Sequence, residues 1–315
     1  MREREHYYNK AIFRDGVEWL VGDARAVFTY AGTTFDVDCN TPAAHEISRL
    51  CSLLDHGFDS SSLTNQFGDF TPHALELIDV FDRYGFLTDA SVANPDKLIS
   101  GTMFWREVDA FSFRTKARLQ PVFYEALRSG KARRHHLLRY AQEYFQIVRH
   151  GPRIIAGALP HMNDAPSRVL MEQFLASELG HDQLLLSALE AGGVDADLAA
   201  NALPLPETFA IISALQVFAD QEPLTFRASV FLLEESSVEF HRAFVNACKR
   251  EGLERDFWAP IVRHAEINDD GNHGNISANL LAHVEVVTAE ERLVVLKQVN
   301  TLIESMVEFE RALLQ

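Results

Sequence analysis

Three groups of carboxylate and imidazole side chains stand out in the second half of the sequence. The first is Glu178 with His181, three residues apart in FLASELGHDQLLLSALEAGG, whose apolar spacing predicts an amphipathic helix. On a helix this spacing places both side chains on one face, where helix bundles can present a carboxylate and an imidazole to one metal ion. A lone pair of this kind is more often a solvated pair, so the metal hypothesis depends on the other two groups.

The second group is a carboxylate that follows an apolar run. In SVFLLEESSVEFHRAF, Glu234 comes directly after the four apolar residues 230–233. Such a carboxylate lies either at the edge of a helix face or in the core, where it needs a cation or a metal as a partner. Glu235 points about 100° away on a helix and is the alternate. Exposure of both side chains stays open as the simpler interpretation.

The third group lies in IVRHAEINDDGNHGNIS. Its members are His264, Glu266, Asp269, Asp270 and His273. Because His264 and His273 are nine residues apart, they face opposite sides of an ideal helix. They can meet only if a π-bulge or a break lies between them, and Gly271 makes a break reasonable. The trio Glu266, Asp270 and His273 instead fits an unbroken helix, and a loop with an aspartate cap is the simplest alternative.

Together the three groups offer imidazole and carboxylate donors without thiolates. This donor set suits iron or manganese, and zinc less specifically. Two neighbouring metal ions need about six protein ligands, including a bridging carboxylate, and the three groups supply that number.

Helices must position these side chains. From residue 101 to the C-terminus the pattern is almost entirely helical, and the short connections predict an α-helical bundle. The apolar spacing predicts seven helices, at 104–129, 134–149, 166–191, 207–220, 224–250, 255–283 and 288–314.

The first 92 residues have a different pattern. RAVFTYAGTTFDVDCN predicts a β-hairpin, and a helix is predicted from Thr41 to Gly57, followed by two short helices and a strand in GFLTDA. We therefore expect a small α+β winged-helix-like domain over 1–92. A linker rich in small and polar residues separates it from the bundle at 101–315.

Composition narrows the function classes. A net charge of −16 argues against general binding to nucleic acid or to an anionic membrane. The three cysteines are scattered, which favours a reducing, cytoplasmic setting. The N-terminal segment MREREHYYNK has no apolar core of the kind that a signal peptide needs, and no run approaches the roughly 18 apolar residues of a membrane span.

Four segments, in their order along the chain, resemble the haem-oxygenase-like di-iron oxidases and oxygenases, whose seven-helix fold is shared with pyrroloquinoline-quinone synthase and thiaminase II. These segments are LRSGKARRHHLLRYAQEYFQIVRHGPRIIAGAL, ELGHDQLLLSALEAGG, FLLEESS and HAEINDDGNH. The resemblance covers about 101–315. It implies a mainly α fold, with a seven-helix haem-oxygenase-like bundle after the N-terminal domain.

The resemblance also implies a ligand set for two Fe(II) ions: Glu178, His181, Glu234, His264, Asp269 and His273, with Glu235, Glu266 and Asp270 as alternates. Many members place the first glutamate seven residues before the histidine, which here is Phe174, and space the late ligands by four and then three. His264 is retained because His-x-Glu is usual at this place in the family. The choice between Asp269 and Asp270 stays open.

The function that the resemblance implies is activation of O₂ to oxidise an amine or amino-acid-derived substrate, free or bound to a peptide or carrier. N-oxygenation, desaturation and C–C cleavage are all open. The N-terminal domain resembles winged-helix domains that bind peptides, with a packing or dimerisation domain as the alternative, and we expect a homodimer. Two further hypotheses are a non-catalytic binding protein with a relic bundle, and a cofactor-free or single-metal oxidase like pyrroloquinoline-quinone synthase.

Overall fold

The computed structural model describes residues 10–14, 16–30, 33–59, 63–84, 86–90, 98–119, 121–234, 237–270 and 273–315. The chain divides into two compact units. The N-terminal unit comprises the described residues up to Ile99, with Arg106–Arg118 and Val287–Glu290. The helical unit comprises Ser100–Trp105, Leu119–Val286 and Glu291–Gln315. The winged-helix-like assignment of residues 1–92 stays a prediction.

The N-terminal unit combines short antiparallel strands with three helices. Its strands are β1 (Ala11–Phe13), β2 (Glu18–Val21), β3 (Arg25–Tyr30), β4 (Thr33–Asp38) and β5 (Leu87–Asp89), and its helices are α1 (Thr41–His56), α2 (Leu63–Phe67) and α3 (Thr71–Arg83). The predicted hairpin is confirmed, because β3 pairs with β4 in an antiparallel register that places Phe28 opposite Phe35. Strand β2 extends this sheet, and β1 pairs with β5.

Helix α1 begins and ends where the sequence predicts. The Asn40 side chain accepts a hydrogen bond from the Ala43 N–H at 3.0 Å, and a proline occupies the first turn. In strand β3, Ala26 and Phe28 are buried and Val27 and Thr29 are half-buried, so one face of the sheet lies against the core. The core of this unit includes the fully buried rings of Phe28, Phe81 and Phe86.

The helical unit is built from helices joined by short connections. The remaining helices of the described chain are α4 (Gly101–Arg118), which contributes residues to both units, α5 (Val122–Ser129), α6 (Arg134–Ala158), α7 (Ala165–Glu178), α8 (His181–Ala191), α9 (Ala196–Asn201), α10 (Pro206–Gln221), α11 (Pro223–Ser229), α12 (Phe231–Glu234), α13 (Val238–Arg250), α14 (Arg255–Asp270), α15 (Ile276–Leu281) and α16 (Ala289–Ala312). Helices α6, α8, α10 and α14 pack together. In the part of the chain that the structure describes, no helix is both long and apolar enough to cross a membrane.

Several predicted helix boundaries are wrong. The stretches 104–129, 166–191, 224–250 and 255–283 are each interrupted, because apolar periodicity continues across breaks that are only a few residues long. Conversely, α6 continues past its predicted end at 149, through Pro152 to Ala158. Pro152 removes one backbone hydrogen bond, but Ile154, Ile155 and Ala158 are buried and extend the apolar face of the helix.

Candidate metal centre

A helix break, not a continuous helix, brings Glu178 and His181 together. Glu178 is the last residue of α7 and His181 is the first of α8. Between them Leu179 is extended and exposed, and Gly180 has a φ of +87°, a conformation that glycine adopts without steric cost. His181 Nδ1 lies 3.3 Å from Glu178 Oε2. The two side chains therefore do face one site, although the prediction that they share one turn of a helix is wrong.

The short helix α12 delivers the next carboxylate. Phe231 and Leu232 are buried, and Glu234 at the C-terminal end of α12 has a side chain that is only 11 % exposed. Its Oε2 lies 3.4 Å from His273 Nδ1 and accepts a hydrogen bond from Asn268 Nδ2 at 2.8 Å. The alternate Glu235 lies outside the described residues.

A second break brings the two late histidines to the same place. Helix α14 ends at Asp270, and His273 begins a short 3₁₀ turn, so the chain does not continue as the straight helix that would hold the histidines apart. His273 Nδ1 lies 3.2 Å from Glu178 Oε1. The ring of His264 lies 5.0 Å from the ring of His181, centroid to centroid. Both late histidines therefore lie near Glu178, each in a group whose donor atoms are within 4.8 Å of one another.

The remaining late residues have different outcomes. Glu266, an alternate, is exposed on the surface and pairs with Arg263 at 3.3 Å, so the structure does not assemble the trio of Glu266, Asp270 and His273. Glu266 therefore lies on the exposed face of α14, whereas His264 lies on its buried face. Asp269 and Asp270 form the end of α14, but their side chains lie outside what the structure describes.

The assembled residues form two triads that share one carboxylate. One triad contains Glu178, His181 and His264, and the other contains Glu178, Glu234 and His273. Within each triad one donor atom per residue lies within 4.8 Å of the others. Oxygen Oε2 of Glu178 faces His181 and Oε1 faces His273, the arrangement that a carboxylate needs to bridge two cations.

The buried polar atoms of this cluster fit a metal. His264 Nε2 is buried and has no hydrogen-bond partner among the described residues, and the buried atoms Glu178 Oε1 and His273 Nδ1 meet at 3.2 Å as an ion pair without hydrogen-bond geometry. Buried polar atoms are nearly always partnered in native proteins, so the unpartnered His264 Nε2, close to donor atoms of Glu178 and His181, indicates a missing partner. Nitrogen and carboxylate oxygen are donors that iron accepts.

Three polar side chains that the sequence analysis missed form hydrogen bonds with residues of the cluster: Tyr144, Ser177 and Asn268. Ser177 Oγ donates to the Phe174 carbonyl at 2.8 Å, so it accepts from His273 Nε2 at 3.2 Å and leaves Nδ1 facing the carboxylates. Tyr144 Oη lies 2.7 Å from His264 Nδ1. Such partners fix the orientation and tautomer of a metal-binding histidine. Asn268 lies one turn after His264 on α14, so helical spacing could have identified it. No sequence pattern indicated Tyr144.

The cluster is strongly coupled electrostatically. Burial opposes ionisation of Glu178, but the hydrogen bond with His273 and the neighbouring histidines hold its pKa below the ordinary value. Burial opposes charging of His273 as well, yet its bonds to Glu178 and Glu234 raise its pKa to about 9. Burial, reinforced by the other histidines, lowers the pKa of His264 to about 4. Without metal, protonated His273 therefore contacts both carboxylates and offsets part of their negative charge, while His264 is neutral and offers a lone pair.

A cavity of about 470 Å³ opens onto the cluster. Glu178, Glu234 and His264 form part of its wall. Helix α6 lines it from Tyr140 to Ile155, and most of the remaining wall is aliphatic or aromatic. Deep apolar cavities with a few convergent polar groups are the usual form of a small-molecule site.

Comparisons with known proteins agree with this architecture. The sequence profile of a family described as iron-containing redox enzymes matches residues 138–305, more than half of the chain. A crystal structure of a domain of unknown function with a haem-oxygenase-like fold, from Shewanella denitrificans, superposes with a TM-score of 0.55. It is 16 % identical, over 68 % of this chain and 92 % of that chain. No curated protein sequence matches. The predicted haem-oxygenase-like fold class is therefore confirmed.

Proposed function

The chain belongs to the iron-containing redox enzymes and is an oxidoreductase; on that premise we propose that it is a non-haem di-iron oxidase or oxygenase. In this proposal it uses O₂ to oxidise an amine or amino-acid-derived substrate. The observation that carries the proposal is the position of Glu178, whose two carboxylate oxygens face two different histidine-containing triads.

Each triad supplies ligands for one ion. We assign His181 and His264 to one position and Glu234 and His273 to the other, with Glu178 between them; Asp269 or Asp270 would complete the six. When bound, two ferrous ions would supply electrons to O₂ and open coordination positions for it.

The chain's own side chains orient the metal ligands and exclude water from the site. Tyr144, Ser177 and Asn268 fix the ring planes and the carboxylate that the ions require. Phe174 packs its edge against His273, and the apolar walls of the cavity keep water from a reactive centre.

The rival hypotheses explain less of the geometry. A single-metal oxidase would leave the groups of one triad without a partner. An oxidase that acts on an acidic quinone precursor needs a cationic pocket, and the described residues that line the cavity include no lysine or arginine. A relic bundle would be expected to lose ligands. Peptide recognition by the N-terminal unit, a carrier-bound substrate and a homodimer remain parts of the proposal.

An anaerobic Fe(II) titration of the metal-free protein tests the proposal. We expect two irons per chain, and O₂ consumption once oxygen is admitted, with candidate amines present in a parallel sample. His181→Ala and His273→Ala, one from each triad, should each lower the count from two toward one. The exposed His283→Ala is the matched control. One iron in the native protein, or an unchanged count in both variants, would refute the two-ion assignment.

A further inference from the structure

One end of the cavity is aromatic and acidic. We call it the aromatic end and define it by Tyr124, Tyr140, Phe240 and Glu310, all of which line the cavity. The ring of Phe240 lies 5.6 Å from that of Tyr140 and 6.4 Å from that of Tyr124, centroid to centroid. The three rings therefore form one group beside a carboxylate.

Glu310 is a carboxylate with no cationic partner among the described residues. Its Oε2 accepts a hydrogen bond from the Phe123 N–H at 3.0 Å, at the start of α5, and it makes no ion pair with any residue that the structure describes. Burial raises the pKa of Glu310, and the hydrogen bond from Phe123 opposes that shift. A half-buried carboxylate in this position gains free energy from any cation that enters the cavity.

The charges along the described cavity wall all favour the same ligand. Beyond the cluster residues Glu178 and Glu234, Glu310 and Glu239 are the further carboxylates, and neither lysine nor arginine is present. An anionic group at the aromatic end would be repelled by Glu310, and the Arg128 guanidinium, 5.8 Å from the centre of the Tyr124 ring, is already paired with Glu125 at 3.3 Å. An ammonium group would meet the Glu310 carboxylate beside a group of aromatic rings, and proteins use both kinds of side chain to recognise organic cations.

The aromatic end lies on one side of the metal cluster along α6. Tyr140 stacks on Tyr144 with centroids 5.7 Å apart, and Tyr144 bonds His264 of the cluster. Farther along the helix, Ile147, Ile154 and Ile155 line an apolar stretch of the same cavity. From Tyr140 to Ile155 the helix rises about 22 Å, so the cavity suits an elongated molecule.

We propose that the aromatic end binds the ammonium group of an elongated amine, with Glu310 as its counter-ion. The apolar remainder of the molecule lies along α6, and a carbon between the two ends is held beside Glu178 and Glu234. This inference rests on the proposed function and deepens it, because it selects amines with an apolar tail from the amine and amino-acid substrates.

Binding of three simple probes tests the inference. Isothermal titration calorimetry with n-octylamine, n-octanol and octanoate is done on the full-length protein, both metal-free and loaded with redox-inert Zn(II). We expect octylamine to bind at least about tenfold more tightly than octanol in both forms, as a charge-assisted contact requires. In the metal-free form, octanoate should bind more weakly than octanol.

A variant assigns the preference to one residue. Glu310→Gln keeps an oxygen for the Phe123 N–H but removes the charge, so octylamine should lose about tenfold in affinity and octanol should be unaffected. Glu304→Gln on the same helix is the control, because Glu304 is exposed and bonds only to Asn300 among the described residues. Phe240→Leu should weaken octylamine by a smaller factor, about threefold to tenfold.

Equal binding of octylamine and octanol by the native protein would overturn the inference without any variant, as would an unchanged preference in Glu310→Gln. Because this measurement involves neither iron nor O₂, it can fail while the iron titration succeeds, and the reverse. The two results therefore separate an error in the amine site from an error in the di-iron proposal.

Discussion

Two buried polar networks in the helical unit differ in one respect. Around Arg227 every named contact is complete: its guanidinium donates to Ser167 Oγ at 2.9 Å, to the Leu280 carbonyl at 3.2 Å and to Asp164 Oδ2 at 2.9 Å. Asp164 also caps α7 through the Ser167 N–H. Around Glu178, in contrast, the buried His264 Nε2 has no hydrogen-bond partner among the described residues, and Glu178 Oε1 meets His273 Nδ1 at 3.2 Å without hydrogen-bond geometry.

The difference separates a structural network from a binding site. Arg227 ties α11, which precedes the segment of Glu234, to the start of α7 and to α15, so it positions helices that carry or flank the cluster. Its polar groups satisfy one another, as buried groups must. In the Glu178 cluster, protonated His273 pairs with both carboxylates, and a metal ion can replace that proton.

The largest expected effect tests the structural role of the Arg227 network. Arg227→Met removes a buried guanidinium and leaves the Ser167 hydroxyl and the Leu280 carbonyl without their donor. Each buried group that loses its partner costs about 1–3 kcal/mol of unfolding free energy. Asp164 adds little, because its side chain is 32 % exposed. Urea denaturation measures the loss, which should appear in metal-free and iron-loaded protein alike. The exposed Arg263→Met should cost less than about 0.5 kcal/mol. A stable Arg227→Met variant that binds no iron would contradict the structural assignment.

The variant Tyr144→Phe tests the metal-binding role of the Glu178 cluster. Removing the hydroxyl frees His264 Nδ1 from its partner, and changes to such supporting groups cost about 10–100-fold in metal affinity. Competition with a chelator of known affinity measures the change, and the unfolding free energy of the metal-free protein serves as the control. If affinity is unchanged, Tyr144 does not orient a ligand.

A smaller effect is expected at the break that joins the two first ligands. Gly180→Ala places a Cβ on a residue with positive φ, which costs about 1–2 kcal/mol although no neighbour lies within 4 Å of that atom. Thermal unfolding measures the cost. Gly151→Ala, at an open helical position, should not destabilise the protein. An unaffected Gly180→Ala would show that the chain between Glu178 and His181 has another conformation.

The smallest expected effect is the release of a proton from His273 when a metal ion binds. His273 has a pKa raised to about 9, so its stabilising contribution to the metal-free protein is complete below the unfolded value near 6.5 and is lost as pH rises through 9. At pH 7 a metal must displace this proton, and about one proton should be released per chain. Calorimetry of Zn(II) binding in buffers of different ionisation enthalpy counts it. Zero release would mean that His273 is neutral or is not a ligand.

The ligand-rich segments were predictable because glutamate and histidine can be recognised as metal ligands from the sequence alone. Glu178, His181, Glu234, His264 and His273 were all selected from the sequence, and the structure brings these five together. The nine-residue separation of the late histidines even required the interruption after α14. Local composition carried that signal, since Asn, Asp and Gly are poor helix formers.

What the sequence did not reveal depends on distant contacts. The break at Gly180 was missed because a glycine inside an apolar periodicity is also tolerated within a helix. Tyr144 contacts His264 across 120 positions of sequence, and Glu310 reaches Phe123 across 187. Glu266 fitted a four-and-three spacing, but helical phase alone cannot tell which face of α14 is buried.

The most direct test of the central claim is anomalous diffraction at the iron absorption edge from crystals grown anaerobically with Fe(II). The account predicts two iron peaks, one on each side of the Glu178 carboxylate, with His181 and His264 at one and Glu234 and His273 at the other. A single peak, or iron bound away from Glu178, would contradict it.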